Sequence, residues 1–266
     1  LKKYGISPDK VHFIDHHLSH ASAAYYGLRR DDAPCLILTL DGGGDAVCAT
    51  VNVGKNGKIA RISHTIEGHS IGNIYSRISF LMGFVPWEHE YKLMGMAPYA
   101  SSERSERVRA IFSNYLDLDC DNKLIFRRKT LESTMYLTKR LEKDIRGLRF
   151  DDICGGLQLF TEDLIVRWVK ECVRQTGVKN VFCSGGVFMN VKANKRIVEL
   201  PEVETISVFP SCGDETNSIG AAFFWANEGG DKVERLSHFY TGHHFSNDSV
   251  KEEVEKTNLS YRYFDD

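Results

Sequence analysis

With 266 residues, 42% of them hydrophobic, the chain carries enough apolar surface for one large domain or two modest ones. Thirty-four basic residues against 36 acidic ones leave no general field for nucleic acid or an anionic membrane, so any nucleotide must be held by a local site. Seven scattered cysteines without a C-x-x-C pair, no signal-type N-terminus and no apolar run near the about 18 residues of a membrane helix make a reducing, cytoplasmic location the expectation.

In chain order, residues 1–30 read as a helix end, a short strand at Val11–Ile14, and the segment Asp15-His16-His17-Leu18-Ser19-His20-Ala21-Ser22-Ala23-Ala24. Small residues favour a helix there. His16 and His20 then fall one turn apart on one face, a chelate spacing for a divalent transition metal. Two imidazoles rarely hold such an ion tightly, so the pair calls for a carboxylate from elsewhere. His17 points about a third of a turn away, and His17 with His20 is the fallback pair. A His-rich helix start that only makes hydrogen bonds is the plainer alternative.

A three-stranded meander follows, with strands at Cys35–Leu40, Ala46–Val53 and Ile59–Ile66 and turns at Asp41-Gly42-Gly43-Gly44-Asp45 and Gly54-Lys55-Asn56-Gly57. The three glycines are expected to make the turn, to adopt positive φ and to present backbone N–H groups to an oxyanion. Asp41 and Asp45 would repel a bare phosphate, so a bridging cation is expected with one; an ordinary hairpin turn is the alternative. Apolar spacing predicts a helix over Ser70–Phe84, closed at Gly83. Pro86–Tyr99, dense in polar and aromatic residues, reads as a loop forming a site wall, with Glu88, His89, Glu90 and Lys92 as candidate substrate contacts; a solvated loop is the alternative. Residues 101–150 read as a polar, irregular insertion beside the core.

From Asp151 the pattern alternates between helix and strand. A helix at about Asp152–Gln175 leads to the strand Asn180–Cys183, and Ser184-Gly185-Gly186-Val187-Phe188-Met189-Asn190 opens a helix running to about Glu199. The strand Thr205–Phe209 ends in Pro210-Ser211-Cys212-Gly213-Asp214, before the helix Ile219–Asn227. Both junctions place N–H donors and a helix dipole at the carboxyl edge of a sheet, where α/β folds bind phosphate and nucleotide. Asp214, otherwise an ordinary N-cap, is the best-placed acid to complete the histidine site. Residues 229–266 form a charged connection, and both chain ends read as cut from a longer protein.

The meander with its Gly-rich stretch and the two strand–Gly–helix junctions resemble the second lobe of the actin-like ATPase and sugar-kinase superfamily. Within it, the segments His16–Ala24, Asp41–Asp45, Glu90–Tyr99, Ser184–Asn190 and Cys212–Glu215, taken in order, resemble the O-carbamoyltransferases of nodulation-factor and antibiotic biosynthesis. The resemblance implies an α/β, actin-like (ribonuclease H-like) fold. Residues 1–30 would be a remnant of the first lobe with the histidine helix, and 31–235 the second lobe with an insertion at about 101–150. Residues 236–266 would start a connection to a C-terminal adenylate-forming domain that, like most of the first lobe, is missing. It further implies a metal, Fe²⁺ in the family's best-understood members, held by His16, His20 and Asp214 with Asp41 nearby. Gly42, Gly43 and Gly44 would face phosphate, and Gly185, Gly186 and Asn190 would hold adenosine. Lys92 is the donor assigned to the carbonyl oxygen of the reacting group.

The activity implied is transfer of a carbamoyl group from carbamoyl-adenylate, made from ATP and carbamoyl phosphate in the separate domain, to a hydroxyl of a small molecule or sugar. No nucleic-acid or membrane partner is expected. The alternatives are a threonylcarbamoyl transferase of tRNA modification, a sugar kinase and a non-catalytic nucleotide-binding module. The first has a metal helix resembling H-x-E-G-H, unlike His16–His20; the second needs Mg²⁺ and a catalytic Asp but no paired histidines.

Overall fold

The structure, a computed structural model, describes the chain except for residues 1, 30–32, 232, 241, 258, 265 and 266. Helix α1 (His16–Leu28) leads to strands β1 (Cys35–Gly44), β2 (Val47–Lys55) and β3 (Lys58–Ile66), then to helices α2 (Ile71–Leu81), α3 (Glu90–Met96) and α4 (Ser102–Phe112). A ribbon of β4 (Leu116–Leu118) and β5 (Phe126–Arg128) and the helix α5 (Thr138–Ile145) precede the long α6 (Phe150–Thr176). Then come β6 (Asn180–Ser184), α7 (Val191–Val198), β7 (Thr205–Val208) and α8 (Asn217–Glu228), in a unit that runs to Arg235. Leu236–Asp266 cluster separately and carry α9 (Asn247–Glu255). Among the described residues no helix is long and apolar enough to cross a membrane.

The main sheet is mixed, in the order β3-β2-β1-β6-β7: β1 to β3 form an antiparallel meander, and β1, β6 and β7 run parallel. Cys35–Leu40 is buried throughout, which explains its unbroken apolar run: a strand covered on both faces has no reason to alternate. Helix α1 packs against α8 and against β1, β2 and β6. The approach of α1 to α8 requires glycine, because a Cβ on Gly220 would lie 1.8 Å from the Ser19 carbonyl oxygen. Helices α2 and α6 also meet β1, and the Tyr75 hydroxyl of α2 donates to Gln158 Oε1 of α6 at 3.2 Å.

Four expectations are corrected. Val11–Ile14 pairs with no strand and leads directly into α1. The Gly42–Gly44 stretch is the irregular end of β1, not the turn, and none of its glycines has positive φ; the turn is made by Asp45 (φ 51°) and Ala46 (φ 63°). Pro86–Tyr99 contains α3 and a 3₁₀ turn at Ala97–Tyr99, too short to announce a helical period. Residues 101–150 are ordered elements whose Phe112, Tyr115, Leu116, Phe126, Leu137 and Leu141 are buried, and the Trp168 indole of α6 donates to the Leu124 carbonyl at 2.8 Å. Charged residues between those apolar anchors hide the pattern.

Candidate metal centre and ligand cleft

Asp15 caps α1 by accepting from the Leu18 amide at 2.7 Å, and the His16 amide donates to Asp45 Oδ2 at 2.8 Å, so the start of the helix is pinned to the β1–β2 turn. His16 and His20 lie one turn apart with ring centroids 4.8 Å from each other. Asp41 reaches them from the irregular end of β1, and Asp214 from the 3₁₀ turn that precedes α8. His20 Nε2 is 3.0 Å from Asp41 Oδ2 and 3.3 Å from Asp214 Oδ1; His16 Nε2 is 3.6 Å and 3.4 Å from the same oxygens. One ligand atom from each of the four residues falls within 4.8 Å of the others.

Electrostatics follow from that crowding. Burial works against a charged His20, yet its hydrogen bonds with Asp214 and Asp41 outweigh it and raise the imidazole above its ordinary value. Burial likewise pushes Asp41 up, but the His16 and His20 rings beside it hold it well below the usual carboxylate range. His16 Nε2 is buried and makes no hydrogen bond although two carboxylate oxygens face it. Two imidazole nitrogens and two carboxylate oxygens form a donor set suited to a divalent transition metal, and a cation among them would satisfy the orphaned nitrogen.

His17 is not a ligand. Its Nε2 donates to the Val47 carbonyl at 2.9 Å, so in the neutral ring Nδ1 must accept from the Thr39 hydroxyl, 2.7 Å away. Burial, with lesser contributions from His16 and His20, lowers its pKa to about 4 and keeps it neutral. The chain of bonds continues from Thr39 Oγ1 to Thr50 Oγ1 at 2.6 Å and from Thr50 to Asn52 Nδ2 at 2.8 Å. The fallback pair of His17 with His20 is thereby excluded: both nitrogens of His17 are spent on fixing α1 to the sheet.

Beside the cluster opens a cleft of about 510 Å³, and Asp41 and Asp214 face both. Gly42, Gly43, Gly186 and Asn190 line it, together with Tyr75, Trp87, Glu88, Glu90, Tyr91, Met94 and Gly213. Gly44 and Gly185 do not. A Cβ on Gly44 would fall 2.3 Å from the His16 ring, and one on Gly185 2.4 Å from the Leu40 carbonyl oxygen, so these glycines serve close packing. Lys92 also lies elsewhere, with Nζ 5.4 Å over the Phe84 ring and 5.8 Å over the Tyr91 ring. His89 is outside the lining as well, its Nδ1 accepting from the Val85 amide at 3.2 Å. Asn190 lines the cleft with its amide already committed to Gln158 and to capping α7.

Trp87 and Tyr91 belong to the Pro86–Tyr99 segment read as a site wall, whereas sequence reasoning passed over Tyr75 in the cleft and Ser184 and Asn217 around the histidines. Ser184 Oγ lies 3.3 Å from His20 Nδ1, and Asn217 Nδ2 3.4 Å from both His16 Nδ1 and His20 Nε2. Only Asn217, three residues after Asp214 at a helix start, carried a usable signal.

The fold is thus a mixed α/β sheet with a cleft beside a histidine–carboxylate cluster that could hold a metal ion. Residues 2–223 match the family model described as Carbamoyltransferase N-terminus, and the chain belongs to that family. It is 28% identical over 258 residues to an uncharacterized protein of Synechocystis, covering 90% of this chain and 41% of the relative. It is also 28% identical over 254 residues to the nodulation protein NolNO of Sinorhizobium fredii, covering 93% and 36%. The chain thus spans about two fifths of the length of these curated relatives. A crystal structure of full-length HypF in the phosphate- and nucleotide-bound form aligns with 83% of this chain and 44% of its own, at 16% identity and a TM-score of 0.45, too remote to bear on the site.

Proposed function

We propose that this chain is the transfer region of an O-carbamoyltransferase, in which His16, His20, Asp41 and Asp214 hold a divalent metal beside a nucleotide cleft. The observation that carries the proposal is the convergence of these four ligand atoms, with His16 Nε2 buried and unpaired at their centre, in a member of the carbamoyltransferase family. Fe²⁺ suits the mixed nitrogen–oxygen donor set. A bound cation would supply Lewis-acid charge to a phosphate leaving group. Asp41 and Asp214, each facing both the histidines and the cleft, link that charge to the substrate.

In this reading the donor is carbamoyl-adenylate, formed from ATP and carbamoyl phosphate, and the acceptor is a hydroxyl of a small molecule or sugar. Gly42, Gly43 and Gly186 border the phosphate and ribose, and Asn190, braced by Gln158, borders the adenosine. The acceptor oxygen bonds to the carbamoyl carbon, the bond from that carbon to the phosphate oxygen breaks, AMP leaves with its electron pair, and the hydroxyl proton passes to a base. Lys92 is given no part in the step, because its ammonium rests over two aromatic rings. Residues 31–235 are assigned to the second lobe of an actin-like fold, 1–30 to part of a first lobe and 236–266 to a connection toward an adenylate-forming domain, all in a cytoplasmic protein. The meander-plus-parallel order of the sheet supports that assignment.

The test is single-turnover transfer from preformed carbamoyl-adenylate to an acceptor alcohol by the full-length protein, with bound metal quantified. His20→Ala should lose the metal and the transfer together, while nucleotide affinity changes little. Transfer at the wild-type rate by a metal-free His20→Ala protein would make the metal structural and end this mechanism.

A further inference from the structure

The form the two histidines must adopt gives a task to two residues outside the ligand set. An imidazole nitrogen lends its lone pair to a metal only when it carries no proton, so a neutral ring bound through Nε2 keeps its proton on Nδ1. His16 and His20 both turn Nε2 toward Asp41 and Asp214. Their Nδ1 atoms face elsewhere. His20 Nδ1 is 3.3 Å from Ser184 Oγ, at the end of β6, where the side chain is fully buried and can accept.

His16 Nδ1 is 3.4 Å from Asn217 Nδ2, at the start of α8. In that orientation the amide nitrogen, also 3.4 Å from His20 Nε2, can only donate, which leaves the His16 proton on Nε2 and blocks the lone pair. Two buried polar atoms then go without a hydrogen bond, His16 Nε2 and Asn217 Oδ1. Turning the amide end for end exchanges atoms of nearly equal size, offers Oδ1 to a proton on His16 Nδ1 and frees His16 Nε2.

We propose that Ser184 and Asn217 are positioning residues that hold His20 and His16 in the tautomer that binds through Nε2, Asn217 by presenting its amide oxygen to His16 Nδ1. The proposal rests on the metal reading above and deepens it. It also gives the entry to α8 two tasks: Asp214 supplies a carboxylate, and three residues later Asn217 decides which nitrogen of His16 is free.

The probe is Co²⁺, titrated into the purified protein and followed by calorimetry and by its visible ligand-field bands, with circular dichroism melting as the check on folding. Absence of Co²⁺ binding by folded wild-type protein overturns the metal reading, and the present proposal with it. Where wild type binds, Ser184→Ala and Asn217→Leu should each weaken Co²⁺ by about tenfold or more, in the range of lost outer contacts to metal-bound histidine. Ser184→Thr, which keeps the hydroxyl, and Asn217→Asp, whose carboxylate only accepts, should restore affinity to near the wild-type level or above it. Equal losses in Asn217→Leu and Asn217→Asp, or wild-type affinity in both Asn217→Leu and Ser184→Ala, would reduce these residues to packing and overturn the proposal while the metal site stands.

Discussion

His17 and His20 on α1 are fully buried, and each ring nitrogen has an assigned neighbour, whereas Trp87 and Tyr91, which line the adjoining cleft, are 71% and 61% exposed. The first wall is held from four directions: the sheet beneath it, α8 above it, the Asp15 cap and the Asp45 turn. The second is a short helix and its entry loop, tied by the Trp87 amide donating to Glu90 Oε1 at 2.7 Å. The contrast separates two jobs. Residues that must meet at a fixed distance are placed where the fold cannot shift without breaking, and residues that meet a variable partner stand where substitution costs little.

Substitutions can break this contrast. The largest effect is expected at His17: His17→Ala empties a buried site and removes the bonds to the Thr39 hydroxyl and the Val47 carbonyl, and should lower unfolding stability by about 3 kcal/mol. Urea unfolding measures this, and a loss below about 1 kcal/mol would mean that α1 is not anchored through this ring. Next, His20→Ala should weaken Co²⁺ by about 100-fold, equivalent to about 2.7 kcal/mol, with less harm to folding than His17→Ala. If the two variants melt alike and bind alike, the division between anchor and ligand on this helix fails.

Adjacent glycines sharpen the point. Gly44→Ala drives a methyl group into the His16 ring and should cost about tenfold in Co²⁺ affinity, whereas at Gly43 the added carbon meets the Glu67 side chain, which can swing aside. Equal Co²⁺ affinities in Gly43→Ala and Gly44→Ala would show that His16 tolerates displacement. The smallest effect is expected on the exposed wall. Trp87→Ala should leave thermal stability within about 0.5 kcal/mol of wild type, and a loss as large as that of His17→Ala would erase the contrast.

Much of the framework was legible because it is written locally. The meander follows from β-rich runs and the Asn56–Gly57 turn, and α1 from small residues behind an Asp cap. The roles of the glycines were not legible, because what excludes a side chain at Gly44 is a ring 28 residues earlier in the chain, and at Gly185 a carbonyl on another strand. Lys92 shows the same limit: charge in a motif suggests chemistry, but two neighbouring aromatic faces decide where the ammonium rests. Nor does any local pattern tell His17 from His20. The difference between anchor and proposed ligand lies in whether Thr39 and Val47 or Asp41 and Asp214 stand across from the ring.

The helix α1 is covered by α8 so closely that Gly220 rests against the Ser19 carbonyl, yet 197 residues separate His20 from Asn217. During synthesis the histidines and Asp41 therefore leave the ribosome on the order of ten seconds or more before Asp214 and α8 exist. Through that interval the growing chain carries two imidazoles on α1 and one carboxylate at the end of β1, without the helix that covers α1. Arrival of α8 covers the helix and brings the second carboxylate to the histidines in the same step.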